Sequence, residues 1–290
     1  MVKNKKQTIS LIVGIFSTFL IGISNAMAYV PAGNVGFSWQ IGKFVKPYNN
    51  TGLTNLTFRF TVNKNTLHAT GTYFAQQFYF NNSGNQGNGA YTGLQPQYDI
   101  NGKQYLRAVF SSFIANSTTT DPNCSNGADG GPGVSCGVVF PTTYGHNYKM
   151  TVKKTTGNTW SGDLQDEQTG QTVHIGSWTL PSTVSNLQTS GSGFAEYYAF
   201  YKVGFPQFVV PSCNLLAKIS VFYGPVTSTD FGGAIGNTSK MYFPFEYNTD
   251  CIGSLSNFSS KTVSTKINIT PYQLTGYGYQ IERGWISTIQ

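Results

Sequence analysis

Charge is what this chain has least of. Asp, Glu, Lys and Arg make up 10% of its 290 residues, against about 25% in an ordinary globular protein. Acids are the scarcer sign, and the basic residues are dispersed. The local cluster Lys149, Lys153 and Lys154 reads as a solvated strand edge. The formal net charge of +7 includes Lys3, Lys5 and Lys6 at the N-terminus. A nucleic-acid partner is excluded, because it needs clustered Lys and Arg. Long apolar runs are missing too: after residue 28 none approaches the roughly 18 residues of a spanning helix, which excludes a helical membrane span. Nowhere does an i, i+3, i+4 apolar pattern persist for three turns, which excludes a helical bundle. His68, His146 and His174 are scattered and none has metal-ligand spacing.

What is present begins with a leader. Lys3, Lys5 and Lys6 precede an apolar stretch from Ile9 to Ile23, and the segment closes on Ala26-Met27-Ala28. That is the pattern of a secretory signal peptide with an A-x-A cleavage site, covering residues 1–28. It predicts a secreted or periplasmic protein, with residues 29–290 as one domain. Four cysteines in an exported chain imply two disulfides, with three pairings open. Proximity in sequence favours Cys124 with Cys136 and Cys213 with Cys251. Metal ligation by these thiols is disfavoured by their spacing and by an oxidising compartment.

Strand signals dominate the rest. Leu56, Phe58, Phe60 and Val62 alternate with Thr57, Arg59 and Thr61, a period of two that means one buried face. Tyr73 to Phe80 carries apolar residues on both parities and predicts a central strand covered on both sides. Asp99-Ile100-Asn101-Gly102 predicts a hairpin turn. Tyr148, Met150 and Val152 mark another half-buried strand. Residues 115–135 read as a long polar loop tethered by a disulfide, and 182–192 as linker. Further strands are predicted at 215–223, 240–247 and 263–270. Many short strands joined by Gly, Pro and Asn turns predict an all-β, jelly-roll-like β-sandwich with two disulfides.

The segment Gly89-Ala90-Tyr91-Thr92-Gly93-Leu94-Gln95, followed by Val109-Phe110-Ser111-Ser112-Phe113, resembles the DUF3472 family of exported proteins. Gly130 to Cys136, His174 to Pro181 and Phe194 to Tyr198 extend the resemblance across about residues 73–198. Phe113 stands where that family usually has Trp. The resemblance implies an exported β-sandwich of a kind often found beside carbohydrate-active modules, and it supplies no catalytic residues. Separately, Phe200-Tyr201-Lys202-Val203-Gly204 is similar to a segment of alginate-lyase-type jelly rolls, which implies a Tyr and His pair acting on a uronate.

Chemistry-bearing residues are few. Gly133-Val134-Ser135-Cys136-Gly137 matches G-x-S-x-G by spacing, but strand signals follow it where a nucleophile elbow needs a helix. Glu196 lies between aromatic and small residues, where burial would raise its pKa; as a purely structural group it would be satisfied by Tyr hydroxyls or Arg107. Amphipathic rings and neutral amides with few charges suit a neutral glycan. The expected function is therefore non-enzymatic, lectin-like binding of a glycan or cell-surface polysaccharide through Tyr91, Gln95, Gln77, Glu196, Tyr198 and Trp178. The alternatives are a polysaccharide-cleaving enzyme using Glu196, or Tyr201 with His174 and Arg59, and a module that binds host or surface proteins. No cofactor is expected; structural calcium held by Asp121, Asp129 and loop carbonyls is the one exception the pattern admits.

Overall fold

The computed structural model describes residues 34–83, 89–198, 213–237, 251–269 and 272–288. Among them are sixteen strands. In chain order these are β1 (Val35–Phe44), β2 (Asn55–Val62), β3 (Thr72–Phe80), β4 (Ala90–Pro96), β5 (Gln104–Ser112), β6 (Cys124–Ala128), β7 (Gly131–Thr142) and β8 (Asn147–Lys154). They continue as β9 (Thr159–Asp166), β10 (Thr172–Thr179), β11 (Leu187–Tyr197), β12 (Ile219–Tyr223), β13 (Thr227–Ser228), β14 (Ala234–Asn237), β15 (Ser259–Ile269) and β16 (Tyr272–Arg283).

All strand pairings are antiparallel, in the order β10-β9-β8-β2-β13-β14-β1-β11-β3-β4-β5-β7-β6. β12 extends the β2 side and carries the β15–β16 hairpin. The sheet folds over on itself, so that the β10-β9-β8-β2 part packs against β1-β11-β3-β4-β5-β7. Period-two alternation is what allows this, since Phe58 and Phe60 of β2 and Phe74 and Phe78 of β3 turn inward while Thr57, Arg59 and Ala75 turn outward. Rings then meet across the layers. Phe58 stacks on Phe78 at 5.8 Å, Phe110 on Trp178 at 4.5 Å, and Phe80 meets Trp160 edge-on at 5.0 Å. Such contacts add about 0.5–1.5 kcal/mol each beyond the area they bury.

The all-β sandwich and both disulfides, Cys124–Cys136 and Cys213–Cys251, are as the sequence predicts. Asn101 and Gly102 take positive φ values of 52° and 73° and make the predicted hairpin turn between β4 and β5. Three expectations are corrected. Residues 115–135 are not simply a loop, because Cys124–Ala128 and Gly131–Thr142 pair as a hairpin around Asp129-Gly130. Residues 182–192 are not a linker, because β11 starts at Leu187. The Lys149, Lys153 and Lys154 cluster lies on β8, an interior strand between β2 and β9. The leader, the predicted strand at 240–247 and the lyase-like segment containing Tyr201 lie outside the described residues.

The Cys124–Cys136 bridge joins directly paired residues of β6 and β7, and Thr118 and Thr179 exchange backbone hydrogen bonds nearby at 3.0 and 2.8 Å. That corner ties β10 to the β5-β7 edge. Replacing both Cys124 and Cys136 with Ser should lower unfolding free energy by about 3 kcal/mol by the chain-entropy model, measured as a lower urea midpoint, with a steeper slope if the unfolded chain expands.

Candidate functional site

The outward face of the β11-β3-β4-β5 strands carries a second, smaller apolar cluster. Tyr73, Ala75, Tyr91 and Val109 are buried there, with Phe113, Phe194 and Tyr198 packed against them. Register explains the grouping. Glu196 pairs with Tyr73, Gln77 with Tyr91, Tyr91 with Ser111 and Gln95 with Arg107, and directly opposed residues point to the same side of a sheet. Tyr73 meets Tyr91 and Phe194 edge-on at 5.0 and 5.8 Å, and Tyr91 meets Phe113 at 4.8 Å.

Most polar groups on this face are engaged. The Tyr91 hydroxyl donates to Asp129 Oδ2 at 2.9 Å, and the Asp129-Gly130 hairpin turn, with Asp129 at a φ of 48°, delivers that carboxylate. Arg107 Nη1 donates to Gln95 Oε1 at 3.2 Å, Ser192 Oγ donates to Gln77 Oε1 at 2.8 Å, and the Gly71 amide donates to the Tyr198 hydroxyl at 3.2 Å. Two groups stand apart. The Tyr73 hydroxyl is buried without a hydrogen-bond partner. Glu196 is half-buried and makes no hydrogen bond or ion pair among the described residues.

Those two groups define the electrostatics. Burial, reinforced by the negative charge of Asp129, pushes the Glu196 carboxyl from its ordinary 4.5 up to about 7. Burial likewise pushes the Tyr73 phenol well up, with Tyr91 and Asp129 adding to the shift. Tyr91 is raised by burial and then by Asp129, so it stays protonated and donates. The purely structural expectation for Glu196, satisfaction by Tyr hydroxyls or Arg107, is not met: Arg107 bonds Gln95 instead. The result is a carboxyl that takes up and releases a proton near neutral pH beside an unpartnered phenol.

Of the sequence-predicted site residues, Tyr91, Gln95, Gln77 and Glu196 share this face, and Tyr198 packs against its cluster. Trp178 does not. It is 1% exposed on the inward side of β10, stacked on Phe110, because its parity on the strand turns it into the sandwich. Gln76 also points inward, fully buried, with neither amide atom bonded. Arg59, on the outward face of β2, and His174, on β10, both lie in the other layer from Glu196. Asp121 and Asp129, expected to share a calcium ion, have separate partners: Asp129 takes Tyr91, and Asp121 takes His174 and Ser177. Among the described residues no group of three or more His, Cys, Asp and Glu side chains is placed to hold a metal ion. Sequence reasoning missed Tyr73 and did not foresee the Asp129–Tyr91 hydrogen bond. The Asp-Gly pair at 129–130 is itself a hairpin signal and places Asp129 on a turn.

No family model matches the chain, and no curated protein matches it. Among solved structures it is similar to scytalido-glutamic peptidase with a transition-state analog inhibitor, at 13% identity and a TM-score of 0.41, covering 87% of this chain and 98% of that one. It is similar also to SCP-B, a member of the eqolisin family of peptidases, in complex with the tripeptide Ala-Ile-His, at 13% identity and a TM-score of 0.40, covering 88% and 98%. At these values the likeness carries no information on activity. Two disulfides indicate an extracytoplasmic protein, and no helix among the described residues is long and apolar enough to cross a membrane.

His174 is explained without a ligand. Its Nδ1 lies 2.8 Å from Asp163 and its Nε2 2.7 Å from Asp121. Hydrogen bonds to Asp163 and Asp121 raise the imidazole pKa; burial pushes Asp121 up, but bonds from His174, Asn123 and Ser177 outweigh it and leave that carboxyl lowered. A raised His stabilises below its unfolded value of about 6.5, and a lowered Asp stabilises above about 3.9. The bridge is therefore complete between those limits, is lost as pH rises through the His value in the folded protein, and is lost again in acid. His174→Gln should lower the melting temperature at pH 5 and change it little at pH 9. The effect should stay near 1 kcal/mol or below, because the imidazole is half-exposed and screened.

Proposed function

We propose that this protein is an exported hydrolase in which Glu196 transfers the proton. The observation that carries the reading is the half-buried carboxyl at about 7 with no hydrogen-bond or ion-pair partner among the described residues. General acid–base catalysis is most effective when the group's pKa lies near the working pH. In its ionised form Glu196 would take a proton from an attacking water; in its neutral form it would give one to a leaving group. Tyr73, on the paired position of the neighbouring strand, packs beneath Glu196 with its hydroxyl buried, which keeps that side of the carboxyl dry. Burial, reinforced by Asp129, raises the Glu196 carboxyl to about 7, so that both its neutral and its ionised forms are present at neutral pH. The resemblance to DUF3472 supplies no catalytic residue and adds nothing to this assignment.

Glycan binding without cleavage is a second reading of the same face, supported by Gln77, Gln95, Ser111 and the rings beside them. One assay separates the two. The mature chain would be incubated with neutral polysaccharides and with unfolded polypeptide from pH 3 to 9, following release of reducing ends and of new amines. Cleavage is expected, falling by about a hundredfold or more in Glu196→Gln, the scale of a lost general acid–base group. Binding of a polysaccharide with no cleavage of any substrate would refute the hydrolase.

A pH dependence of stability follows as well. The raised Glu196 favours the folded state below 4.5, and that contribution is lost as pH rises through about 7. Wild-type melting temperature should thus fall between pH 5 and 8 relative to Glu196→Gln, measured in parallel thermal melts.

A further inference from the structure

On the other side of the sandwich, the outward face of β2 and β8 forms the floor of a groove. Two adjoining cavities, of about 370 and 450 Å³, share Arg59, Lys149 and Asn268 as walls. One is closed by Thr265, Lys266, Ile267 and Asn268 of β15, the other by Thr227, Ser228 and Thr229. In a chain with so few charges, three cations converge here on a single acid, Glu167. That acid is already paired with Lys149 at 2.7 Å.

Arg59 is the centre of this arrangement. It is half-buried, and among the described residues its one side-chain hydrogen bond runs from Nη1 to Thr227 Oγ1 at 2.8 Å. A guanidinium has five donors in a planar fork that matches a carboxylate. Thr227 therefore aims the group while leaving most of the fork for a ligand. Burial opposes its charge and lowers its pKa, with Glu167 the countervailing influence. A desolvated cation without a carboxylate of its own gains most from an anion brought in from outside. Beside the apolar Phe60, Phe222 and Ile267, the lining carries neutral threonines and asparagines, Thr57 bonded to Thr151 and Thr61 to Asn147, whose remaining donors and acceptors suit sugar hydroxyls.

We propose that this groove binds an acidic oligosaccharide, with the carboxylate of a uronate residue on Arg59 and the sugar hydroxyls on the surrounding threonines and asparagines. A phosphate would use the cations and leave the neutral lining idle. An acidic peptide would bring backbone groups and side chains in place of the hydroxyls this lining suits. The site is independent of Glu196, which lies on the outward face of the other layer, and its readout is binding instead of cleavage.

The test is titration calorimetry on the mature chain with a tetragalacturonate, a neutral tetrasaccharide, poly-L-glutamate and inorganic phosphate, at two salt concentrations. The tetragalacturonate should bind at least about tenfold more tightly than the other three, and Arg59→Lys should weaken it by about tenfold or more, the scale of a charged bidentate contact. Lys266→Gln, at an exposed position, should cost about two- to threefold and flatten the salt dependence. Circular dichroism checks that each variant folds; should Arg59→Lys fail to, the Lys266→Gln comparison decides. Equal binding of the neutral sugar, tighter binding of polyglutamate or phosphate, no binding of the tetragalacturonate, or unchanged affinity in a folded variant would each overturn the inference.

Discussion

The structure depends on aromatic packing between two layers of one folded-over sheet. Phe58 against Phe78, Phe110 against Trp178, and Phe80 against Trp160 join residues that are far apart in sequence and in strand order. A sheet of this length cannot stay open in water, because one face of every strand is apolar. Closure buries that face and in doing so makes two outward faces. Glu196 and Arg59 occupy those two faces, and each owes its exposure to the parity that buries its neighbours Ala195 and Phe58.

The scarcity of charge shapes what those faces do. In most proteins a half-buried Glu or Arg has an opposite charge within reach. Here eleven acids are spread over 290 residues, and several are committed elsewhere: Asp121 and Asp163 to His174, Asp166 to His146, Glu167 to Lys149. Glu196 and Arg59 are left in desolvated places without a salt-bridge partner among the described residues. A structural carboxyl or guanidinium would be costly in that condition, which makes both groups functional candidates.

Much of the architecture was legible. The alternation in Leu56 to Val62 and in Tyr148 to Val152, the Asn101-Gly102 turn and the local Cys124–Cys136 pairing each depend on a few neighbouring residues. What was not legible depends on distant ones. Gln188 to Ser192 reads as linker by its Ser, Thr and Gly content, yet it is strand because Trp39 lies over Gly191, where a side chain would collide with the ring at 2.5 Å. Strand preference is set by such neighbours more than by the residue itself. Trp178 was misjudged for the same reason: strict alternation puts it opposite Val173 and Ile175, but the bulge between His174 and Gly176 brings it round to their side, inward.

The sequence by itself determined that this is a β protein poor in charge with cysteines suited to disulfides, because composition, cysteine number and period-two patterning act locally or in sum. It also marked Glu196 as a carboxyl in apolar company. Only the tertiary structure decided that Glu196 lacks a partner among the described residues, that Tyr73 and the Asp129–Tyr91 pair stand with it, and that Arg59 belongs to a different face. Those facts rest on register and on which layer a strand joins. Both are fixed by packing between residues that no local pattern connects.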